Sequence, residues 1–175
     1  MFYDSSRFAF TEVLERNWQR ILQDYLAIRN DLTDWSEREL YGAGWQVFGI
    51  YNFPHGEALE PNVQRCAHTA ALVAQQFQHH GAVGFSVLQP GTHIKPHRGY
   101  PGSFLRCHLG LQIPAGNCGL KVERETRHWQ PGKTLVFDDR FLHEAWNLTA
   151  TERVVLLIDF IPESKAAPTG PGEDR

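Results

Sequence analysis

From Gly81 onward the sequence is cut into short apolar runs, rich in β-branched and aromatic residues and each closed by Gly, Pro or Asn. This punctuation restricts the fold more than any other feature. The pattern predicts strands near residues 83–89, 104–112, 118–123, 126–129, 133–137, 144–147 and 153–160. Strands this short, with no long helix between them, point to an antiparallel sandwich or barrel.

The first half reads differently. Val13, Leu14, Trp18, Ile21, Leu22 and Tyr25 recur at three- and four-residue spacings, which predicts an amphipathic helix over 8–28 with one buried face. Residues 31–44 are polar and predict a loop with one short helical turn. Trp45 to Phe53 reads as a strand that ends at Pro54, and a second helix is expected from Asn62 to Gln78, closed by Gly81. The organisation expected is one domain over 1–161, with helices concentrated in 1–80 and a β core in 81–161. The tail from Pro162 carries no large apolar side chain and is expected to be disordered.

A chain of 175 residues suits one sizeable core, and a net charge of −3 without a basic cluster gives no footprint for nucleic acid. The longest apolar run, Val154 to Ile158, is too short to span a bilayer, and the N-terminus lacks a signal-peptide pattern. Cys66, Cys107 and Cys118 are too irregular for a disulfide framework or zinc ribbon. Free thiols in a cytoplasmic protein are the simplest expectation, with no membrane or nucleic-acid partner. Composition leaves the oligomeric state undetermined.

Nine histidines make their placement informative. The segment Gly91-Thr92-His93-Ile94-Lys95-Pro96-His97-Arg98-Gly99 holds His97 on a loop or strand edge. Phe137-Asp138-Asp139-Arg140-Phe141-Leu142-His143 places His143 just after a turn, at the start of a strand. Neutral imidazoles on adjacent strands suit iron(II) and leave coordination positions open; equally, two separated histidines are compatible with ordinary hydrogen bonding. In Leu105-Arg106-Cys107-His108-Leu109, alternation puts Arg106 and His108 on one face, where burial is costly without an anion or hydrogen-bond partner. Arg153 opens the last, strongly apolar strand. Two arginines near a metal suggest a ligand with two carboxylates, the alternative being native acids such as Glu123, Glu152 or Asp159.

Taken together, Phe85-Ser86-Val87-Leu88-Gln89-Pro90-Gly91-Thr92-His93, Pro96-His97-Arg98-Gly99, Arg106-Cys107-His108-Leu109-Gly110-Leu111, Glu125-Thr126-Arg127 and Phe137-Asp138-Asp139 to Trp146 resemble the catalytic domain of the aspartyl/asparaginyl β-hydroxylases. Leu14-Glu15-Arg16-Asn17-Trp18 is similar to that family's first helix. The resemblance implies a mainly β, double-stranded β-helix (a jelly-roll or cupin-like barrel) with flanking helices. It also implies an enzyme, a dioxygenase that uses Fe(II), 2-oxoglutarate and O2 to hydroxylate an aspartyl/asparaginyl-type or other amino-acid side chain of a peptide or small molecule. By that resemblance His97 and His143 match the iron ligands, and Arg153 with Ser86 matches the grip on the distal carboxylate of 2-oxoglutarate. Arg106 and His108 match residues against the carboxylate nearer the metal.

Two positions depart from the wider pattern. Most 2-oxoglutarate oxygenases carry an Asp or Glu two residues after the first histidine, where this chain has Gly99; the animal members of the resembled family also have glycine there. Iron-dependent halogenases vacate the same ligand for chloride, which makes a halogenase the first alternative. A lipid A-type hydroxylase and a non-enzymatic cupin-like binding module are the others. Phe104 replaces an arginine that contacts the acidic substrate in the animal enzyme. Asp138 and Asp139 are expected to cap the turn or orient a ligand, and His93 to make a structural hydrogen bond.

Overall fold

The computed structural model describes residues 1–162, so the expectation for the tail falls almost wholly outside the described residues. Among the described residues, eleven strands form two antiparallel sheets. β1 (Phe2–Tyr3), β2 (Thr33–Asp34), β3 (Trp45–Tyr51), β4 (His80–Leu88), β6 (Leu105–Gln112), β9 (Thr134–Phe137) and β11 (Arg153–Phe160) build a seven-stranded sheet ordered β1-β9-β6-β11-β4-β3-β2. β5 (Thr92–His97), β7 (Cys118–Val122), β8 (Glu125–Arg127) and β10 (His143–Asn147) form a four-stranded sheet ordered β5-β10-β7-β8. From β4 to β11 the chain passes repeatedly from one sheet to the other, with only β7 and β8 staying together, which is how a double-stranded β-helix winds.

Helices α1 (Ala9–Ile28), α2 (Asn62–Arg65) and α3 (Ala67–Gln76) accompany the larger sheet. The expected first helix is present almost to the residue, because Leu14, Ile21, Tyr25 and Ile28 bury one stripe. The expected second helix is interrupted at Cys66, and it stops at Phe77 rather than at Gly81, which already lies within β4. Residues 31–44 contain a 3₁₀ turn at Arg38–Leu40, as well as the edge strand β2, which the polar sequence did not announce.

Strand alternation creates two cores. Val83, Phe85 and Val87 of β4, Cys107 and Leu109 of β6, and Val154, Leu156 and Ile158 of β11 pack on the α1 and α3 side. The opposite faces of the same strands, with Trp45, Leu88 and Val155, meet Leu120, Val122 and Ala145 of the smaller sheet. Each apolar outward residue therefore sends its neighbours in sequence, Ser86, Arg106, His108, Arg153 and Asp159, into the space between the sheets. α1 is pinned by Glu15, which accepts from the Thr134 backbone N–H at 3.0 Å, the Thr134 hydroxyl at 2.8 Å and Lys133 Nζ at 2.9 Å.

Candidate active site

His97 ends β5 and His143 opens β10. The two strands pair antiparallel with these residues opposite each other, and the ring centroids lie 4.2 Å apart. Each ring places Nδ1 against the carbonyl oxygen two residues back: His97 on Lys95 O at 2.8 Å and His143 on Phe141 O at 2.9 Å. A carbonyl only accepts, so both Nδ1 atoms carry the proton and both Nε2 lone pairs are free to bind a metal. Burial, reinforced by the His97 ring beside it, holds His143 down to about 3, so this imidazole is neutral at physiological pH.

Gly99 donates its N–H to Asp139 O at 2.8 Å, and a β-carbon at position 99 would collide with the Asp139 carboxylate. The carboxylate of Asp139 thus fills the space where a side chain at 99 would begin. Among the described residues, no group of three or more His, Cys, Asp and Glu side chains is arranged to hold a metal, so the site offers two imidazoles. Burial pushes Asp139 up, and the Arg106 guanidinium at 3.1 Å pulls it down.

Deeper between the sheets the chain buries hydrogen-bond donors without acceptors. Arg153 is 1% exposed and its Nε has no partner; it has no acidic neighbour, only Ser86 O at 3.4 Å from Nη1 and the Trp129 ring, 4.6 Å from its guanidinium carbon. Burial lowers Arg153 to about 10, which still leaves it a cation at neutral pH. His108 accepts from Trp129 Nε1 at Nδ1, 3.3 Å away, so its proton sits on Nε2, and that atom too is buried without a partner. Burial first, and then Arg153, keep His108 neutral. Ser86 Oγ accepts from Trp45 Nε1 at 3.1 Å, leaving its own hydrogen to donate.

The Nε–H of Arg153 and the Nε2–H of His108 are thus buried without an acceptor among the described residues, and Ser86, whose carbonyl touches Arg153, has a hydroxyl hydrogen to donate. Leaving buried donors unmade costs about 1–3 kcal/mol each, and an anionic oxygen ligand removes that cost. The residues fit a carboxylate ligand beside a metal held by two histidines.

Arg106 behaves differently from the sequence expectation. Its Nε and Nη2 bind Asp159 at 2.7 and 3.0 Å, and Nη2 also reaches Asp139, so no free fork remains for a ligand carboxylate. Of the two arginines, Arg106 takes the ion-pair alternative and Arg153 does not. His93 bonds Glu144 at 2.8 Å on the outside of the small sheet, and Asp138 binds its neighbour Arg140. Trp129 and Trp45 were not legible as site residues in the sequence, because nothing local ties Trp129 to strands twenty residues away on either side. A cavity of about 270 Å³ is lined by Ser86, His97, Gly99, Arg106 and residues of β3 and β4.

Residues 15–162 match the aspartyl/asparaginyl beta-hydroxylase family. The chain is 33% identical to an ornithine lipid ester-linked acyl 2-hydroxylase of Rhizobium tropici, over 94% of this chain and 61% of that protein. It is 32% identical to the aspartyl/asparaginyl beta-hydroxylase of Mus musculus, over 83% of this chain and 20% of that protein. It thus spans less than two thirds of the length of either relative. A solved oxidoreductase of the 2OG-Fe(II) oxygenase family from Burkholderia pseudomallei superposes with a TM-score of 0.57 at 13% identity, covering 80% of this chain and 77% of that one; this establishes a shared double-stranded β-helix fold. The chain belongs to the aspartyl/asparaginyl beta-hydroxylase family.

Proposed function

We propose that this chain is an Fe(II)- and 2-oxoglutarate-dependent hydroxylase, with His97 and His143 holding iron through Nε2 and with Arg153, Ser86 and His108 holding 2-oxoglutarate. The observation that carries this reading is the set of buried donors without acceptors next to two imidazoles whose Nε2 atoms are free. Iron(II) with 2-oxoglutarate and dioxygen supplies, when bound, the oxidising power to convert C–H to C–OH, with succinate and carbon dioxide released.

The chain's own residues bind, orient and shield. The carbonyls of Lys95 and Phe141 fix both ligand tautomers. Arg153 and the neutral His108 present N–H groups to carboxylate oxygens in a region of low dielectric, where such bonds are strong. Trp45, Trp129 and Phe137 wall this region with apolar surface and keep water from it. The Asp139 carboxylate occupies the space beside Gly99 and competes for it with a chloride, which weighs against the halogenase alternative.

The two relatives are named for different targets, an acyl chain of ornithine lipid and aspartyl or asparaginyl residues. The element common to the two names is hydroxylation. The test is succinate release from 2-oxoglutarate by iron-loaded protein: activity in the wild type that vanishes in His97→Ala and His143→Ala supports the assignment, and full activity in the double variant overturns it.

A further inference from the structure

We infer that Asp159 and Arg106 are positioning residues that hold the Asp139 carboxylate away from a metal on His97 and His143, so that the centre keeps two protein ligands although a third stands beside it. The inference rests on the reading of the two histidines as metal ligands and names what governs the coordination there.

The carboxylate of Asp139 lies where a third ligand would originate. Gly99, two residues after His97, has no side chain, and a β-carbon there would run into the Asp139 carboxylate. His97, Gly99 and Asp139 line the same cavity. A two-histidine, one-carboxylate set is a common iron(II) arrangement, so an acid at this place has an obvious use. Yet among the described residues no group of three such side chains is arranged to hold a metal. Asp139 is close to the imidazoles and directed elsewhere.

The sheet supplies the restraint. β6 lies between β9 and β11, and Arg106 of β6 stands opposite Asp159 of β11 and Phe137 of β9. Asp139 follows Phe137 by two residues, so strand register sets one guanidinium between two carboxylates. Asp159 takes the guanidinium in a fork, with Nε and Nη2 donating at 2.7 and 3.0 Å, and Nη2 also lies 3.1 Å from Asp139 Oδ2. Both carboxylates are buried, which keeps water from weakening these contacts. Among the described residues no other cation lies within salt-bridge distance of Asp139, whereas its neighbour Asp138 has Arg140. Without Arg106, Asp139 would be an uncompensated buried charge, and a metal dication on the imidazoles would become its strongest partner. Asp159 acts through Arg106: the fork fixes the guanidinium to the sheet, and the guanidinium fixes Asp139.

The test is cobalt(II) titration of the full chain without 2-oxoglutarate, followed by visible absorption, which reports the number and type of metal ligands. Arg106→Met/Asp159→Leu removes the pair without changing net charge, and apolar replacement of a buried ion pair is often tolerated. This variant should bind cobalt(II) about tenfold or more tightly than wild type, the scale on which neighbouring groups tune metal affinity, and its spectrum should change. Adding Asp139→Asn should abolish both effects, and Asp139→Asn alone should leave the wild-type spectrum unaltered. Thermal melting checks folding, and Arg106→Gln/Asp159→Asn, whose amides can bond each other, serves in place of the apolar pair if that variant does not fold. Wild-type affinity and spectrum in a folded pair variant, or gains that survive Asp139→Asn, would overturn the inference. So would a changed spectrum in Asp139→Asn alone, since the carboxylate would then already be a ligand. A missing iron–2-oxoglutarate complex alongside the expected cobalt results would remove the oxygenase reading alone.

Discussion

Replacing Trp129 with Phe isolates the contact that orients His108. Trp129 makes two contacts at once: its Nε1–H donates to His108 Nδ1 at 3.3 Å, and its ring faces the Arg153 guanidinium at 4.6 Å. Phenylalanine retains an aromatic face and loses the donor. A neutral hydrogen bond contributes about 0.5–1.5 kcal/mol, and without this one the His108 proton is no longer held on Nε2. At 1.4 kcal/mol per tenfold, 2-oxoglutarate should bind about two- to tenfold more weakly. Trp129→Leu removes the ring as well, and a cation–π contact of roughly 0.5–2 kcal/mol should weaken binding by a further two- to thirtyfold. The assay is anaerobic calorimetric titration of 2-oxoglutarate into iron(II)-loaded protein, with metal affinity and thermal melting measured in parallel. Wild-type affinity in Trp129→Phe would refute the role given to His108 Nε2. Equal affinities in the Phe and Leu variants would refute the role given to the ring over Arg153.

Arg153→Ala should raise the 2-oxoglutarate requirement about thirtyfold or more, since losing one partner of a buried charged contact costs about 2–5 kcal/mol. Iron affinity should change far less, and equal losses in both would contradict the assignment. Gly99→Ala drives a methyl group into the Asp139 carboxylate and should cost about 1–3 kcal/mol in unfolding experiments, with Gly99→Ala/Asp139→Ala recovering part of it; additive losses would contradict the collision. Burial raises Glu15, but its bonds from Lys133 and Thr134 outweigh this and hold it below the usual 4.5. Its stabilisation is therefore present above that value and fades as pH falls through the folded value. Glu15→Gln should cost roughly 1 kcal/mol at neutral pH, and the two proteins should converge once pH has fallen below the folded value; a pH-independent difference would show that charge plays no part.

Much of the β architecture was legible because most strands from 83 onward are compact apolar runs stopped by a turn residue. β5 was the exception: Lys95, Pro96 and two glycines nearby disguise a strand whose inward side chains are few, so Thr92–His97 read as a loop or edge. Alternation correctly divided Arg106 and His108 from Leu105, Cys107 and Leu109, because that division depends only on the two-residue period of a strand. Alternation does not say whether an inward arginine finds a native acid. Arg106 meets Asp159 across the β6–β11 pair, where the two residues are in register, whereas Arg153, at the start of the same β11, meets only Trp129 and Ser86. That difference arises from register between strands about fifty residues apart, and no local pattern contains it. The filling of the Gly99 space by Asp139, forty positions later, was hidden for the same reason.

The most direct test of the site is anaerobic addition of iron(II) and then 2-oxoglutarate to the purified protein, followed by visible absorption. The metal-to-ligand charge-transfer band of the chelate is expected, absent in His143→Ala and displaced to higher 2-oxoglutarate concentration in Arg153→Ala. A folded wild-type protein that binds iron without ever showing the band would mean that the buried donors of Arg153, His108 and Ser86 serve some ligand other than 2-oxoglutarate.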